Sequence, residues 1–134
     1  MDDDEIAQEA LIVGAEGAPM GTLAELLQKR ERVLLYFAAK WCPDCVDFAP
    51  KLRGLNLPLV LVSSDYTAEE MENHIKTLLP ERALALEFGQ SAINALKRKY
   101  GACAKREVAT AGVTDRKSGI PALVSLPDGS FYKL

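Results

Sequence analysis

The sequence has few of the residues that staple a small fold. Among 134 residues there are three cysteines, an odd number, so a structural disulfide framework is not expected. A single histidine, His74, is present, and a zinc centre would have to be assembled around cysteine. Neither sign of charge dominates: 16 Lys and Arg stand against 19 Asp and Glu, for a net charge of −3. That balance lacks the basic footprint of a nucleic-acid binder, and no nucleic-acid partner is expected. No apolar run approaches the roughly 20 residues needed to cross a bilayer. The first one, Ala10 to Val13, follows an acidic start and is too short for a secretory signal. No membrane partner is expected, and the location predicted is cytoplasmic, with the nucleus as the other option.

Hydrophobic residues make up 49% of the chain, enough for a core without staples. Residues 1–134 fit one domain. The acidic stretch Asp2 to Glu5 reads as solvated, and 1–9 is expected to be frayed. Leu11 to Gly14 can form a short strand and Gly14 to Met20 a turn. Thr22 with Glu25 three positions on forms a capping box ahead of Leu23, Leu26 and Leu27. Val33 to Ala39 and Leu57 to Ser63 are continuous apolar runs of strand length, which predicts strands buried on both faces. Cys45, Phe48, Ala49 and Leu52 share a helical face between them, and Pro50 should kink that helix. Thr67 to Glu70 is a second capping box, opening a helix with Met71, Ile75 and Leu78 inward. Leu84 to Phe88 is a brief extended piece, and Ser91 to Tyr100 a third helix stopped by Gly101. Ile120 to Leu126, a turn at Asp128-Gly129, and Phe131 to Leu134 make a hairpin. Strands alternating with helices predict an α/β fold with a parallel portion and an antiparallel edge.

Cys42-Pro43-Asp44-Cys45 follows the first apolar strand directly. A sulfur at a helix start meets unpaired N–H groups and a partial positive charge, and both stabilise a thiolate. A thiol one turn further in can attack a mixed disulfide formed at the first. Pro43 is compatible with the first helical turn, where its missing N–H costs nothing. Half a zinc site is the alternative for such a pair. It needs two more ligands, and only Cys103 and His74 remain, neither with paired spacing.

The segment Tyr36-Phe37-Ala38-Ala39-Lys40-Trp41-Cys42-Pro43-Asp44-Cys45, followed by Phe48-Ala49-Pro50, resembles the active-site strand and helix of thioredoxin-fold proteins. Ser63-Ser64-Asp65, Leu84 to Phe88 and Gly119-Ile120-Pro121-Ala122-Leu123-Val124 resemble the tryparedoxin and nucleoredoxin branch. The resemblance covers most of Leu11 to Leu134. It implies a three-layer α/β/α sandwich on a central mixed sheet. It implies a thiol–disulfide oxidoreductase in which Cys42 attacks and Cys45 resolves. Trp41, Pro43, Asp44, Ile120 and Pro121 would shape the docking surface, with Pro121 a cis-proline and Ile120 offering backbone groups to an extended substrate. The implied partners are disulfide-containing protein substrates and an upstream reductase or low-molecular-weight dithiol; no bound cofactor or metal is expected. Asp44 disfavours a thiolate at Cys42 while Lys40 acts the other way, and the reducing direction is predicted.

Three departures from the family bear on this reading. Tyr36 stands where ordinary thioredoxins carry a buried aspartate for proton transfer, with Asp65 as a substitute acid or, the favoured reading, a turn residue. Residues 101–119, holding Cys103, Lys105, Arg106, Arg116 and Lys117, form a longer link than the family's. This loop reads as a solvated insertion in preference to an element that recognises acidic partners, and Cys103 as an inert thiol in preference to a regulatory one. The chain stops after the hairpin, where relatives add a C-terminal helix; this predicts self-association, cover from the inserted loop, or a shortened chain. Lys97-Arg98-Lys99 reads as the wet face of a helix. The rival function is a redox-sensitive protein-binding regulator with little turnover.

Overall fold

Strand alternation decides how the layers form. In the computed structural model, which describes residues 3–14 and 16–134, the elements in chain order are α1 (Asp3–Glu9), β1 (Leu11–Val13), β2 (Pro19–Thr22), α2 (Leu23–Lys29), β3 (Val33–Ala38), α3 (Pro43–Phe48), β4 (Leu59–Ser63), α4 (Ala68–Leu78), β5 (Leu84–Leu86), α5 (Ser91–Tyr100), α6 (Val108–Ala111), β6 (Ala122–Leu126) and β7 (Ser130–Phe131). All six residues of β3 are buried. Val33, Leu35 and Phe37 point into one core with Ile93 and Leu96 of α5 and Ile6 of α1. Leu34, Tyr36 and Ala38 point into the other with Cys45 of α3 and Met71 and Ile75 of α4. Period-2 alternation thus gives each helical layer its own apolar sheet face.

The sheet has seven strands in the order β2-β1-β5-β4-β3-β6-β7. β3 pairs in parallel with β4, and β4 with β5. β6 runs antiparallel to β3 and β7 antiparallel to β6. This is the expected α/β/α sandwich with its parallel centre and antiparallel hairpin edge. The parallel crossovers bring the C-terminal ends of β3 and β4 to one rim, and the Cys42 segment leaves β3 there.

Several expectations need correction. The stretch 1–9 is not frayed over its described part: Asp3–Glu9 is a helix, and Ile6 is buried with Ala10 four residues on. One apolar contact per turn suffices for a short helix wedged against α2 and α5. Met1 and Asp2 lie outside the described residues. The turn at Gly14 is real, with Gly17 at φ 80°, but Pro19–Thr22 returns from it as an edge strand antiparallel to β1. A proline at the first position of an edge strand loses no ladder bond. Pro50 does not kink one long helix: α3 ends at Phe48 and a 3-10 segment, Ala49–Gly54, takes over.

The capping at Thr22 is present in both directions. At Thr67 only half of it forms: its side chain accepts from Glu70 N, while the Glu70 carboxylate accepts from Tyr66 N at 3.4 Å. α5 runs over Ser91–Tyr100 as expected, and Gly101 ends it in the left-handed region at φ 63°.

The largest correction concerns 101–119. It is a folded arm carrying a 3-10 turn, Lys105–Glu107, and α6. Cys103, Ala111 and Val113 are buried together in a small core of their own. Nor is Lys97 on a wet face. It is 2% exposed, and its Nζ donates to Glu107 Oε2 at 2.6 Å and to the Ser63 carbonyl at 3.0 Å. A sequence pattern cannot reveal this, because the partner that makes burial of a lysine tolerable lies ten residues away on the arm.

Candidate active site

Cys42 sits where β3 has ended and α3 begins. It is the N-cap residue, in an extended conformation, with Pro43 at the start of the helix. Its carbonyl accepts from Val46 N at 3.0 Å, closing the first helical turn. Cys42 is 7% exposed, and its Sγ lies 3.9 Å from the Ile120 carbonyl oxygen. The Ile120–Pro121 bond is cis. Trp41, Ile120 and Pro121 are half-buried, while Pro43 and Asp44 are exposed.

Cys45 lies one turn inward and is completely buried. It is within hydrogen-bonding reach of Cys42. Burial pushes its thiol well up from the ordinary value, and the hydrogen bond to Cys42 and the charges of Cys42 and Asp44 add to this; a backbone hydrogen bond at Ala39 opposes it. The two sulfurs are therefore unequal: one at the rim, one held protonated in the core.

Tyr36 is fully buried on the same face of β3. Its hydroxyl has no hydrogen-bond partner among the described residues. Burial pushes its phenol up, and the neighbouring Cys45 and Cys42 push the same way. Where the family's aspartate would stand there is a neutral phenol.

Asp65 is at the end of β4 and is buried. It accepts from Lys40 N at 2.7 Å through Oδ1 and from Ser63 Oγ at 2.7 Å through Oδ2, and its Oδ2 is 3.1 Å from His74 Nδ1. Burial alone would raise its carboxyl, but the hydrogen bonds from His74, Ser63 and Lys40 outweigh that and hold it below the ordinary value. A carboxylate so held is a poor proton donor. It fixes the backbone two residues before Cys42.

Trp41 is anchored on its far edge, where Nε1 donates to the Ser64 carbonyl at 2.8 Å. Tyr66 stacks on it with centroids 5.6 Å apart and planes at 16°. The Arg106 guanidinium lies 4.5 Å from the Trp41 ring centroid and bonds to the Tyr66 hydroxyl. Next to it, Glu107 accepts from Ser64 Oγ at 2.5 Å, from Ala104 N at 2.9 Å and from Lys97 Nζ. The arm is thereby pinned to the rim of the site.

The structure gathers Trp41, Cys42, Pro43, Asp44, Cys45, Ile120 and Pro121 at one end of the sheet. Ser64, Tyr66 and Glu107 belong there too and were not singled out from the sequence. Their one signal is Glu107 placed three residues after Ala104, a spacing that lets its carboxylate reach back. The two other ligands a zinc reading requires are engaged elsewhere: His74 with Asp65, and Cys103 in the arm's own core, its carbonyl accepting from Arg116 Nε at 3.1 Å. No group of three or more His, Cys, Asp or Glu able to hold a metal occurs among the described residues.

Comparison with known proteins agrees with the fold. Residues 30–128 match the family model described as thioredoxin-like. A probable nucleoredoxin 3 of Arabidopsis thaliana is 33% identical over 78 residues, covering 52% of this chain and 19% of the relative. The chain spans less than half the length of the nucleoredoxin relatives it matches. Among solved structures, a thioredoxin from Wuchereria bancrofti superposes with a TM-score of 0.72 at 27% identity, over 95% of this chain and 82% of that one. A tryparedoxin from Trypanosoma brucei gives 0.61 at 25% identity, over 92% and 78%. The chain belongs to the thioredoxin-like family, on its tryparedoxin and nucleoredoxin-like side.

Proposed function

We propose that the chain is a thiol–disulfide oxidoreductase that works as a reductase on disulfides of protein substrates. The observation that carries this reading is the unequal dithiol: Cys42 at the rim beside the Ile120 carbonyl, and Cys45 buried within reach of it. The Cys42 thiolate attacks one sulfur of a substrate disulfide, forms a mixed disulfide and expels the other sulfur as a thiolate. Cys45 loses its proton and attacks Cys42 Sγ, which forms the Cys42–Cys45 disulfide and releases the second substrate thiol. Two electrons have then passed to the substrate. An upstream reductase or low-molecular-weight dithiol returns them.

Trp41, Pro43, Asp44, Ile120 and Pro121 form the docking surface in this reading, and the Ile120 backbone receives an extended substrate segment by strand addition. The exposed Asp44 charge lies beside the dithiol and favours the enzyme's disulfide over its thiolate form, which is the reducing direction. Asp65 supports the site by position and does not carry protons. An unpaired, fully buried Cys103 fits a reducing compartment, cytoplasmic or nuclear.

The test is insulin-disulfide reduction driven by dithiothreitol, with wild type and Cys42→Ser compared. The wild type is expected to accelerate reduction and the variant to fall to the uncatalysed rate. A wild type no faster than dithiothreitol alone overturns the enzymatic reading in favour of a redox-sensitive binding module.

A further inference from the structure

Arg106 has a surrounding that the exchange chemistry does not use. Its guanidinium carbon lies over the Trp41 ring and near the Tyr66 ring, with centroid distances of 4.5 and 5.7 Å. One N–H of its fork is taken by the Tyr66 hydroxyl. The side chain is exposed, and no carboxylate among the described residues pairs with it. Its neighbour Glu107 cannot serve, since both of its oxygens are occupied by Lys97, Ser64 and Ala104 N. The lysine on the other side of the Trp41 loop, Lys40, is bonded through Nζ to Asn73 Oδ1 at 2.6 Å.

Those contacts have a physical consequence. A guanidinium over an aromatic ring keeps N–H donors available, and its fork matches a carboxylate. The ring contact and the buried Lys97–Glu107 pair hold it in place before any partner arrives, so little rotamer entropy remains to be lost on binding. The exposed charge nearest the dithiol on the α3 side is Asp44, of opposite sign. The rim of the site is thus polarised, cationic on the arm side of Trp41 and anionic at the start of α3.

We propose that Arg106 is a specificity-determining residue that selects protein disulfides flanked by an acidic residue, by pairing with that carboxylate while Cys42 attacks. This rests on the oxidoreductase reading and adds the substrate class. Bond making and breaking remain as described above; Arg106 takes part in no covalent step.

The test uses two disulfide-linked peptides that differ only in a Glu or a Gln beside the attacked cysteine, with dithiothreitol as reductant and kcat/KM as the readout. For the wild type at low ionic strength the Glu peptide is expected to be favoured by roughly two- to fivefold, the range for a solvent-exposed ion pair. The ratio should shrink as salt is raised. Arg106→Gln should bring it to about one, and Arg106→Glu should turn it below one. A wild-type ratio of one or less overturns the inference, as does a ratio that survives in Arg106→Gln; in either case the redox reading stands. Wild type that reduces neither peptide overturns the redox reading, and this inference with it.

Discussion

At the scale of single residues, burial and hydrogen bonding hold a thiol, Cys45, protonated and a carboxylate, Asp65, ionised. Cys45 is kept protonated by its burial, which in the proposed exchange lets it act only after Cys42 has taken the substrate. Replacing Cys45 by Ser should leave the first attack intact and remove the second. Mixed disulfides at Cys42 should then accumulate and be visible as non-reducing gel adducts; a Cys45→Ser variant that still turns over would overturn the assigned order. Asp65 is held ionised by three hydrogen bonds. Its folded value lies below the unfolded value of about 3.9, so its contribution to stability is present above the unfolded value and is lost as pH falls through the folded one. Urea unfolding should show wild-type stability dropping as pH is lowered below about 4. Asp65→Asn should cost roughly 1–3 kcal/mol at pH 7 and flatten that acid limb. That Cys42 and Cys45 would lie together at a helix start was legible in their spacing. The favoured reading of Asp65 as a structural residue was legible too, but not that it braces the Lys40 backbone, because its partners Lys40 and His74 lie elsewhere in the chain.

At the scale of elements, two of the points that hold the arm over 101–119 can be tested separately. One is the Lys97–Glu107 pair, with side-chain exposures of 3% and 18%. Removing one partner leaves the other charge buried and unpaired. Glu107→Gln should therefore lower stability by roughly 2–4 kcal/mol in urea unfolding. The fluorescence of Trp41, the only tryptophan, should change as the arm loosens, and Lys97→Met added to it should recover much of the loss. An unchanged midpoint in Glu107→Gln would show that the arm is not pinned there. The second point is Gly101. A Cβ at this position would lie 2.3 Å from the Asp115 carbonyl oxygen, and its φ is +63°. Gly101→Ala should cost about 1–3 kcal/mol, measured the same way. Helix and cap positions such as Thr22, Ser91 and Gly101 were legible because capping and periodicity act within a few residues. The arm was misread as solvated because its apolar residues are few and scattered, and their burial depends on one another's positions.

At the scale of the whole molecule, the proposed reducing direction becomes a statement about stability. A dithiol that reduces its partners has a disulfide stabilised by the fold relative to its reduced form. By the thermodynamic cycle, the oxidised protein should then unfold at higher temperature or denaturant than the reduced one. Calorimetry of the two forms checks this, and a more stable reduced form would assign the oxidising direction. The sheet makes such coupling reasonable. The residues flanking the dithiol come from β3, α3 and the approach to β6, so a bond closing between Cys42 and Cys45 acts on the centre of the sheet and not on a loose loop.

What the residue order determined by itself was local or strongly patterned: buried strands from continuous apolar runs, helix starts from capping residues, the dithiol from its two-residue spacing, and the family from the segments around it. What only the tertiary structure decided was which polar groups are paired. Lys97, Asp65, Glu107 and Arg106 look alike as charged residues in a sequence. Their roles diverge because burial and hydrogen bonding are set by partners distant along the chain, and desolvation makes the difference between a braced charge and a solvated one large.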